Sequence, residues 1–235
     1  MGWDRNSNRE FDQFASSYHQ ALDRGLRLSG ESSDYFAHWR VIILKQQLDR
    51  AGKRIRSILD FGCGTGTTIP ILQEIFSTDT VVGVDISEQS LEIARKNLPG
   101  AKLFNTSALP PGFRVDLVYT NGVFHHMSSQ EQGLAFQYMS DRLKAGGYVA
   151  LWENNPFSPA ARLVMSRIPF DKAARMVWPK QARALAEGAG LSVVSTRYEF
   201  IFPRMFSSLR FLENRLHAFP LGAQYMILSR KQPRD

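Results

Sequence analysis

The residues with the clearest chemical purpose are three glycines at alternate positions, Gly62-Cys63-Gly64-Thr65-Gly66, directly after the apolar run Ile58-Leu59-Asp60-Phe61. A side chain at those positions would keep a ligand off the backbone. The spacing i, i+2, i+4 departs from the dinucleotide fingerprint, whose third glycine stands at i+5, so a dehydrogenase is disfavoured. Two acids accompany the loop. Asp85 closes the next apolar run, Val81-Val82-Gly83-Val84, where a carboxylate at a strand end can accept both hydroxyls of a ribose. Asp60, one strand over, suits an ammonium, directly or through water, which a phosphate-bearing ligand would not want. Further on, the adjacent His125 and His126 and the acid Glu153 each follow another apolar run, where proton-handling groups would face a ligand.

For these groups to meet, the glycine loop must join a strand to a helix. Strands are predicted near 57–61, 80–84, 101–104, 115–119 and 147–152, alternating with helices near 67–76, 88–97 and 129–143, the pattern of a parallel sheet with helices on both faces. Ser87 is expected to cap the helix after the second strand. A helix over 179–188, ending at Gly188 or Gly190, precedes strands near 191–200 and 223–229. Ahead of the sheet, Phe11, Phe14, Ala15, Tyr18, Ala21 and Leu22 recur at helical spacing, Gly30 interrupts, and Tyr35 to Leu48 resumes the pattern. We expect a helical lid over 1–55 and a core over 56–235, with a proline-punctuated insertion at 154–178.

Composition narrows the class. The 235 residues are 43% hydrophobic, enough for one sizeable core. The single cysteine, Cys63, allows no internal disulfide and no Cys/His zinc site, and reads as a small residue between glycines rather than a nucleophile. No run approaches the ~18 apolar residues of a spanning helix, and Met1-Gly2-Trp3-Asp4 lacks the apolar run of a signal peptide, so a soluble, cytoplasmic protein is expected. The net charge of +7 is carried by residues 154–235, which hold thirteen Lys and Arg against five acids.

A ligand with a ribose at one end and an amino acid at the other describes S-adenosylmethionine, and here the sequence resembles a known family. Residues 56–153 look like the core of class I S-adenosylmethionine-dependent methyltransferases of the small-molecule type. Four blocks in order carry the likeness: the glycine loop; Val82-Gly83-Val84-Asp85-Ile86-Ser87; Val115-Asp116-Leu117-Val118-Tyr119 followed by Gly122-Val123-Phe124-His125-His126; and Leu143-Lys144-Ala145-Gly146-Gly147-Tyr148. The resemblance implies a Rossmann-like, doubly wound α/β sheet of seven strands, the last antiparallel. It implies S-adenosyl-L-methionine as cofactor, lying over Gly62, Gly64, Asp85 and Ile86 with Asp60, Cys63 and Asn121 nearby. Where relatives often carry an acid for the adenine amino group, this chain has Asn105-Thr106, whose side chains can still bond a base edge. Ala145 stands where a proline commonly precedes the paired glycines. Arg40, in the lid, is a candidate for the methionine carboxylate.

Methyl transfer is a displacement at a sulfonium carbon, so alignment dominates and a base is needed only when the acceptor carries a proton. Adjacent side chains diverge, so at most one histidine is expected to reach the methyl. His126 occupies the position of a histidine seen in many relatives, and in some phosphobase methyltransferases the equivalent residue pairs with an N-terminal tyrosine, here Tyr18. His125 and Glu153 complete the catalytic candidates. Catechol-type enzymes hold a metal with acids after the fourth and fifth strands, but here the fourth-strand position is Asn121-Gly122, so no metal is expected.

The basic segment from Phe202-Pro203-Arg204-Met205-Phe206 through Arg215-Leu216 has three uses open to it: lining a pocket for an apolar or anionic acceptor, lying on an acidic membrane surface beside a lipid-linked acceptor, or packing on the sheet. Nucleic acid ranks below a small molecule, because the Asn/Asp-Pro-Pro-aromatic motif of base methylation is absent. The expectation is methylation of an oxygen or nitrogen of a small, hydrophobic or lipid-linked metabolite. A C-methyltransferase, an RNA methyltransferase and a non-catalytic S-adenosylmethionine-binding protein are the alternatives.

Overall fold

Apolar runs without polar alternation become interior strands: β1 (Ile58–Phe61), β2 (Val81–Asp85) and β4 (Val115–Asn121) are buried along nearly their whole length. The computed structural model describes residues 18–168, 171 and 174–233, with the side chains of 18–21 and 28 outside the description. Together with β3 (Lys102–Asn105), β5 (Leu143–Asn154), β6 (Leu191–Glu199) and β7 (Gln224–Lys231) these strands form one sheet in the order β3-β2-β1-β4-β5-β7-β6. The first five pair in parallel, whereas β7 runs antiparallel between β5 and β6. This is the expected seven-stranded sheet with its last strand reversed.

The helices begin where the sequence supplies caps. In chain order they are α1 (Tyr18–Leu26), α2 (Ser33–Arg50), α3 (Thr68–Phe76), α4 (Glu88–Asn97), α5 (Ser129–Asp141), α6 (Pro159–Arg167), α7 (Pro179–Gly188) and the single turn α8 (Glu213–Leu216). Ser32, Ser87 and Ser158 each accept a backbone N–H of the first turn, and Ser128 with Glu131 forms a reciprocal capping box on α5. Gly30, at φ +74°, ends the turn after α1. α1 packs against α2 and against α6 of the expected insertion.

Two cores cover the two faces of the sheet, and β5 separates them by strand periodicity. Tyr148, Ala150 and Trp152 enter one with Val41, Leu44 and Leu72, while Val149 and Leu151 enter the other with Phe124, Phe136 and Ala182. Burying a side chain such as Trp152 or Leu151 contributes about 1.5–3 kcal/mol, which fixes the strand ends where the ligand-facing residues project.

Three expectations need adjustment or fall outside view. β5 starts at Leu143, four residues before the predicted strand, because Val115 pairs with Leu143 before a register shift brings Leu117 opposite Tyr148, with Gly146 at φ +76° in the extra loop. α5 accordingly ends at Asp141. Phe11, Phe14 and Ala15 lie outside the described residues, and so does the side chain of Tyr18, which begins α1.

Candidate active site

The glycine loop turns from β1 toward α3 with Gly62 at φ +74° and Gly64 at φ +52°, values that side-chain-bearing residues rarely adopt. The two glycines serve different ends. A Cβ on Gly62 would collide with Val123 Cγ2, so this position lets the β4 loop close in, whereas a Cβ on Gly64 would meet nothing within 4 Å. Gly64 instead borders a cavity. Asp85, at the end of β2, clasps the loop, its Oδ2 accepting the Gly64 N–H and its Oδ1 the Ser87 N–H, each at 2.8 Å.

The cavity beside Gly64 is lined by most of the residues expected to bind cofactor: Arg40, Asp60, Gly62, Cys63, Asp85, Ile86, Thr106 and Asn121, with His126 at its edge. Two of these carry unmet charge demands. Asp60 is buried with Oδ2 lacking any hydrogen bond, and burial, reinforced by the neighbouring Asp85, pushes its carboxyl up to about 7. Arg40 is also buried; its Nη1 donates to Gln224 Oε1 at 3.1 Å while its Nε has no partner, and among the described residues no carboxylate pairs with it. An ammonium for Asp60 and a carboxylate for Arg40 are the two ends of an amino-acid moiety, so the residues present fit the amino-acid end of S-adenosylmethionine. Burial and the charges of Asp60 and Asp85 raise the Cys63 thiol well above its ordinary value, in keeping with a packing residue rather than a nucleophile.

Asn105 does not join them. Its Oδ1 accepts from the N–H and hydroxyl of Ser107 and its Nδ2 donates to Ile86 O at 3.3 Å, a local turn that asparagine readily makes, and it stands outside the cavity lining. Thr106, next in sequence, lines the cavity in its place.

A second cavity shares a wall with the first at Arg40, Asn121 and Gly122. Its surface is mixed: Tyr35, Phe36, Phe200 and Phe202 offer rings, and Arg210, Glu213, His125, Glu153 and Asp171 offer charge. Arg210 bonds Glu31 at 2.8 Å and lies 4.8 Å over the Tyr35 ring. Phe202, Pro203, Arg210 and Glu213 come from the basic C-terminal segment, which therefore does line a pocket. The 3₁₀ stretch Arg204–Leu212 of that segment has no buried residue and leaves Met205 79% and Phe211 71% exposed. No helix among the described residues is long and apolar enough to cross a membrane.

The histidines stand at the seam. They lie in a short 3₁₀ turn, Phe124–His126, and their rings do not diverge as expected: the centroids are 4.1 Å apart, because both imidazoles face Asp171. His125 Nδ1 is 2.7 Å from Glu153 Oε2, and Glu153 Oε1 accepts the Phe124 N–H at 2.8 Å, so both carboxylate oxygens are engaged within the protein. Burial opposes charge on His125, but Glu153 and Asp171 outweigh it and hold the ring up at about 10. His126 is lowered by burial and by the charge of His125, with Asp171 opposing. Burial alone would raise Asp171, yet the two imidazoles bring it below its usual range. Asp171 was invisible as a site residue in the sequence, although it is the only acid between Glu153 and Glu187 in a strongly basic stretch.

Comparisons with known proteins agree with this geometry. Residues 58–147 match a family described as a methyltransferase domain. The trans-aconitate 2-methyltransferase of Rhizobium rhizogenes is 29% identical over 114 residues, 48% of this chain and 44% of that protein. The trans-aconitate 2-methyltransferase of Azoarcus sp. is 27% identical over 166 residues, 70% of this chain and 61% of that protein. The chain thus spans about half the length of the curated relatives it matches. Among solved structures, an S-adenosylmethionine-dependent methyltransferase from Clostridium acetobutylicum superposes with a TM-score of 0.64 at 12% identity, covering 94% of this chain and 99% of that one. Magnesium protoporphyrin IX methyltransferase from Synechocystis, solved with S-adenosylmethionine bound, gives 0.59 at 16% identity, covering 99% and 100%. These last two likenesses are of fold.

Proposed function

Residues 58–147 belong to the class I S-adenosylmethionine-dependent methyltransferases, and on that premise we propose that this chain methylates an oxygen or nitrogen of a small acceptor held in the second cavity. The observation that carries the reading is the pair of cavities joined at Arg40, Asn121 and Gly122, one bordered by bare backbone and Asp85, the other by rings and charged side chains. S-adenosylmethionine, the methyl donor of this family, supplies an electrophilic methyl group when bound. Asp85 would take the ribose hydroxyls, Asp60 the ammonium, Arg40 the carboxylate and Thr106 an edge of the base, with Gly62, Cys63, Ile86 and Asn121 lining the remainder. Holding two reactants in line across such a seam supplies the orientation on which a displacement depends.

The curated relatives are named for trans-aconitate, a carboxylate, and that likeness supports an acidic acceptor here too, with Arg210, beside its partner Glu31, as the cation of the second cavity left for it once Arg40 takes the donor's carboxylate. A carboxylate oxygen carries no proton and needs no base. For a hydroxyl or ammonium acceptor the proton would go to His126, the member of the pair that borders the first cavity, with Tyr18 as its candidate lid partner. Glu153 and His125 then act by holding that wall in position. The apolar side chains around the second cavity and the exposed Met205 and Phe211 on the adjoining segment support an acceptor with a hydrophobic or lipid-linked part.

Methyl-labelled S-adenosylmethionine, incubated with panels of small carboxylates, phenols, amines, lipid extract and RNA, tests the proposal. The expected result is label in a small or lipid-linked carboxylate, lost in Gly64→Val. Label in RNA alone, or tight cofactor binding with no labelled product in any extract, would overturn it.

A further inference from the structure

Three donor residues converge where the two cavities meet. Asp171 Oδ1 lies 3.4 Å from His125 Nε2 and 3.3 Å from His126 Nε2, and ligand atoms of the three residues fall within 4.8 Å of one another. Neither approach is directed as a hydrogen bond: Oδ1 is buried and has no hydrogen-bond partner among the described residues. The attraction of the two imidazoles offsets part of the cost of burying such an oxygen, and a bound cation would satisfy it directly.

The two separations from Asp171 have another meaning, while the remaining pair, within 4.8 Å, would draw in around an ion. When a cation sits about 2.0–2.1 Å from nitrogen and oxygen donors in a tetrahedral site, neighbouring donors stand about 3.3 Å apart. Behind the cluster, Glu153 takes His125 Nδ1 at 2.7 Å and is itself fixed by the Phe124 N–H. A carboxylate on the far nitrogen directs the Nε2 lone pair forward, the usual support of a metal-binding histidine. Charge counting allows it, since a divalent ion that displaces the proton His125 otherwise carries would neutralise both buried carboxylates, Glu153 and Asp171.

We propose that His125, His126 and Asp171 bind one divalent transition-metal ion of the zinc type, with Glu153 orienting His125 and a fourth coordination position open to the cavities. Three protein ligands with one open position is the arrangement of catalytic rather than structural zinc sites. The expectation of no metal considered only acids after β4 and β5, whereas this donor set joins the turn after β4 to the insertion. What the ion does rests on the second cavity being the acceptor site: an acceptor oxygen fills the open position and is held toward the first cavity. An ion on His126 Nε2 also excludes proton acceptance at that atom.

The test uses the full chain without an affinity tag, stripped with chelator, equilibrated with Zn²⁺ or Co²⁺ and passed through gel filtration before elemental analysis. About one equivalent should be retained per chain, and the Co²⁺ form should show the visible bands of a tetrahedral site. Asp171→Asn and His126→Gln should each lose retention, and Glu153→Gln should weaken affinity by about 10–100-fold. Excess Zn²⁺ should raise the unfolding temperature of the wild type and not of Asp171→Asn. Retained S-adenosylhomocysteine binding by Asp171→Asn serves as the check on folding, with His126→Gln carrying the comparison if that variant does not fold. A clearly substoichiometric wild type, or equal retention by wild type and variants, overturns the proposal. The measurement needs neither cofactor nor acceptor, so a missing ion beside intact turnover leaves the methyltransferase reading standing, and a bound ion without turnover does the reverse.

Discussion

The two cavities are built by different means. The glycine-loop side of the first comes from one compact stretch, β1 through β2, with Gly62, Gly64 and Asp85 within 24 residues of one another, while α2, β4 and the turns after β3 and β4 complete it with Arg40, Asn121, Thr106 and His126. The second draws side chains from α2, the turn after β4, the end of β5, the insertion and the C-terminal segment. A cavity made of backbone tolerates few residues at its turning points and leaves a compact pattern in the chain. One made of side chains is free to exchange them, provided distant segments arrive together, and on the proposed assignment this is where specificity for an acceptor can vary while the donor's side stays constant.

Gly64→Val is the severest test of that contrast. A branched side chain at φ +52° is strained and fills the space beside the loop, so affinity for S-adenosylhomocysteine should fall by about 100-fold or more, equivalent to ~2.7 kcal/mol. Calorimetry showing unaltered affinity would remove the backbone-cradle account. The ion site, measured by Zn²⁺ retention, should be untouched.

Asp60→Asn separates stability from binding within the first cavity. Because the folded carboxyl is raised from 3.8 to about 7, the native state holds a proton that the unfolded chain has released between those values, so the stability of the ligand-free protein falls as pH rises through that window. Asparagine removes the penalty. The ligand-free variant should be more stable than the wild type at pH 8 by up to about 4 kcal/mol, with the difference shrinking toward pH 4, while its cofactor affinity at pH 8 falls for want of an ion partner. Thermal melts across that range read the first effect, and a variant less stable than wild type at pH 8 would contradict it.

Arg210→Ala acts on the other cavity. Losing the bond to Glu31 and the contact with Tyr35 should cost about 1 kcal/mol of stability and raise KM for an anionic acceptor by roughly tenfold, with cofactor affinity unchanged. A change confined to cofactor binding would mean that the cavities have been assigned the wrong way round. Lys45→Ala sets the floor: it removes an exposed i,i+4 pair with Asp49 on α2, and denaturant melts should shift by about 0.3–0.5 kcal/mol with neither site affected.

What the sequence could disclose follows the same division. The sheet was legible because its strands are apolar runs closed by glycine or acid, and Ser87 marked the start of α4 correctly. The glycine loop with Asp60 and Asp85 was legible because its logic is local. Of Asn105 and Thr106, both expected beside the base, only Thr106 lines the cavity, because the side chain of Asn105 is taken up by Ser107 and Ile86 O, a local competition that its residue type does not reveal. The start of β5 was missed because a loop glycine within a strand reads as a break. The convergence of both histidines on Asp171 could not be read at all. It depends on where the insertion crosses the strand ends, and Asp171 stands 45 residues beyond His126 with no periodic signal between them.

Arg40 stands in the partition common to both chambers, with its Nε–H still without a hydrogen-bond partner among the described residues. An occupant on either side alters the field that the other side experiences. By reciprocity, whatever the donor's arrival does to the grip on an acidic guest, the guest's arrival does equally to the grip on the donor. On the proposed assignment, the coupling between donor and acceptor affinities would then run through a single cation on α2.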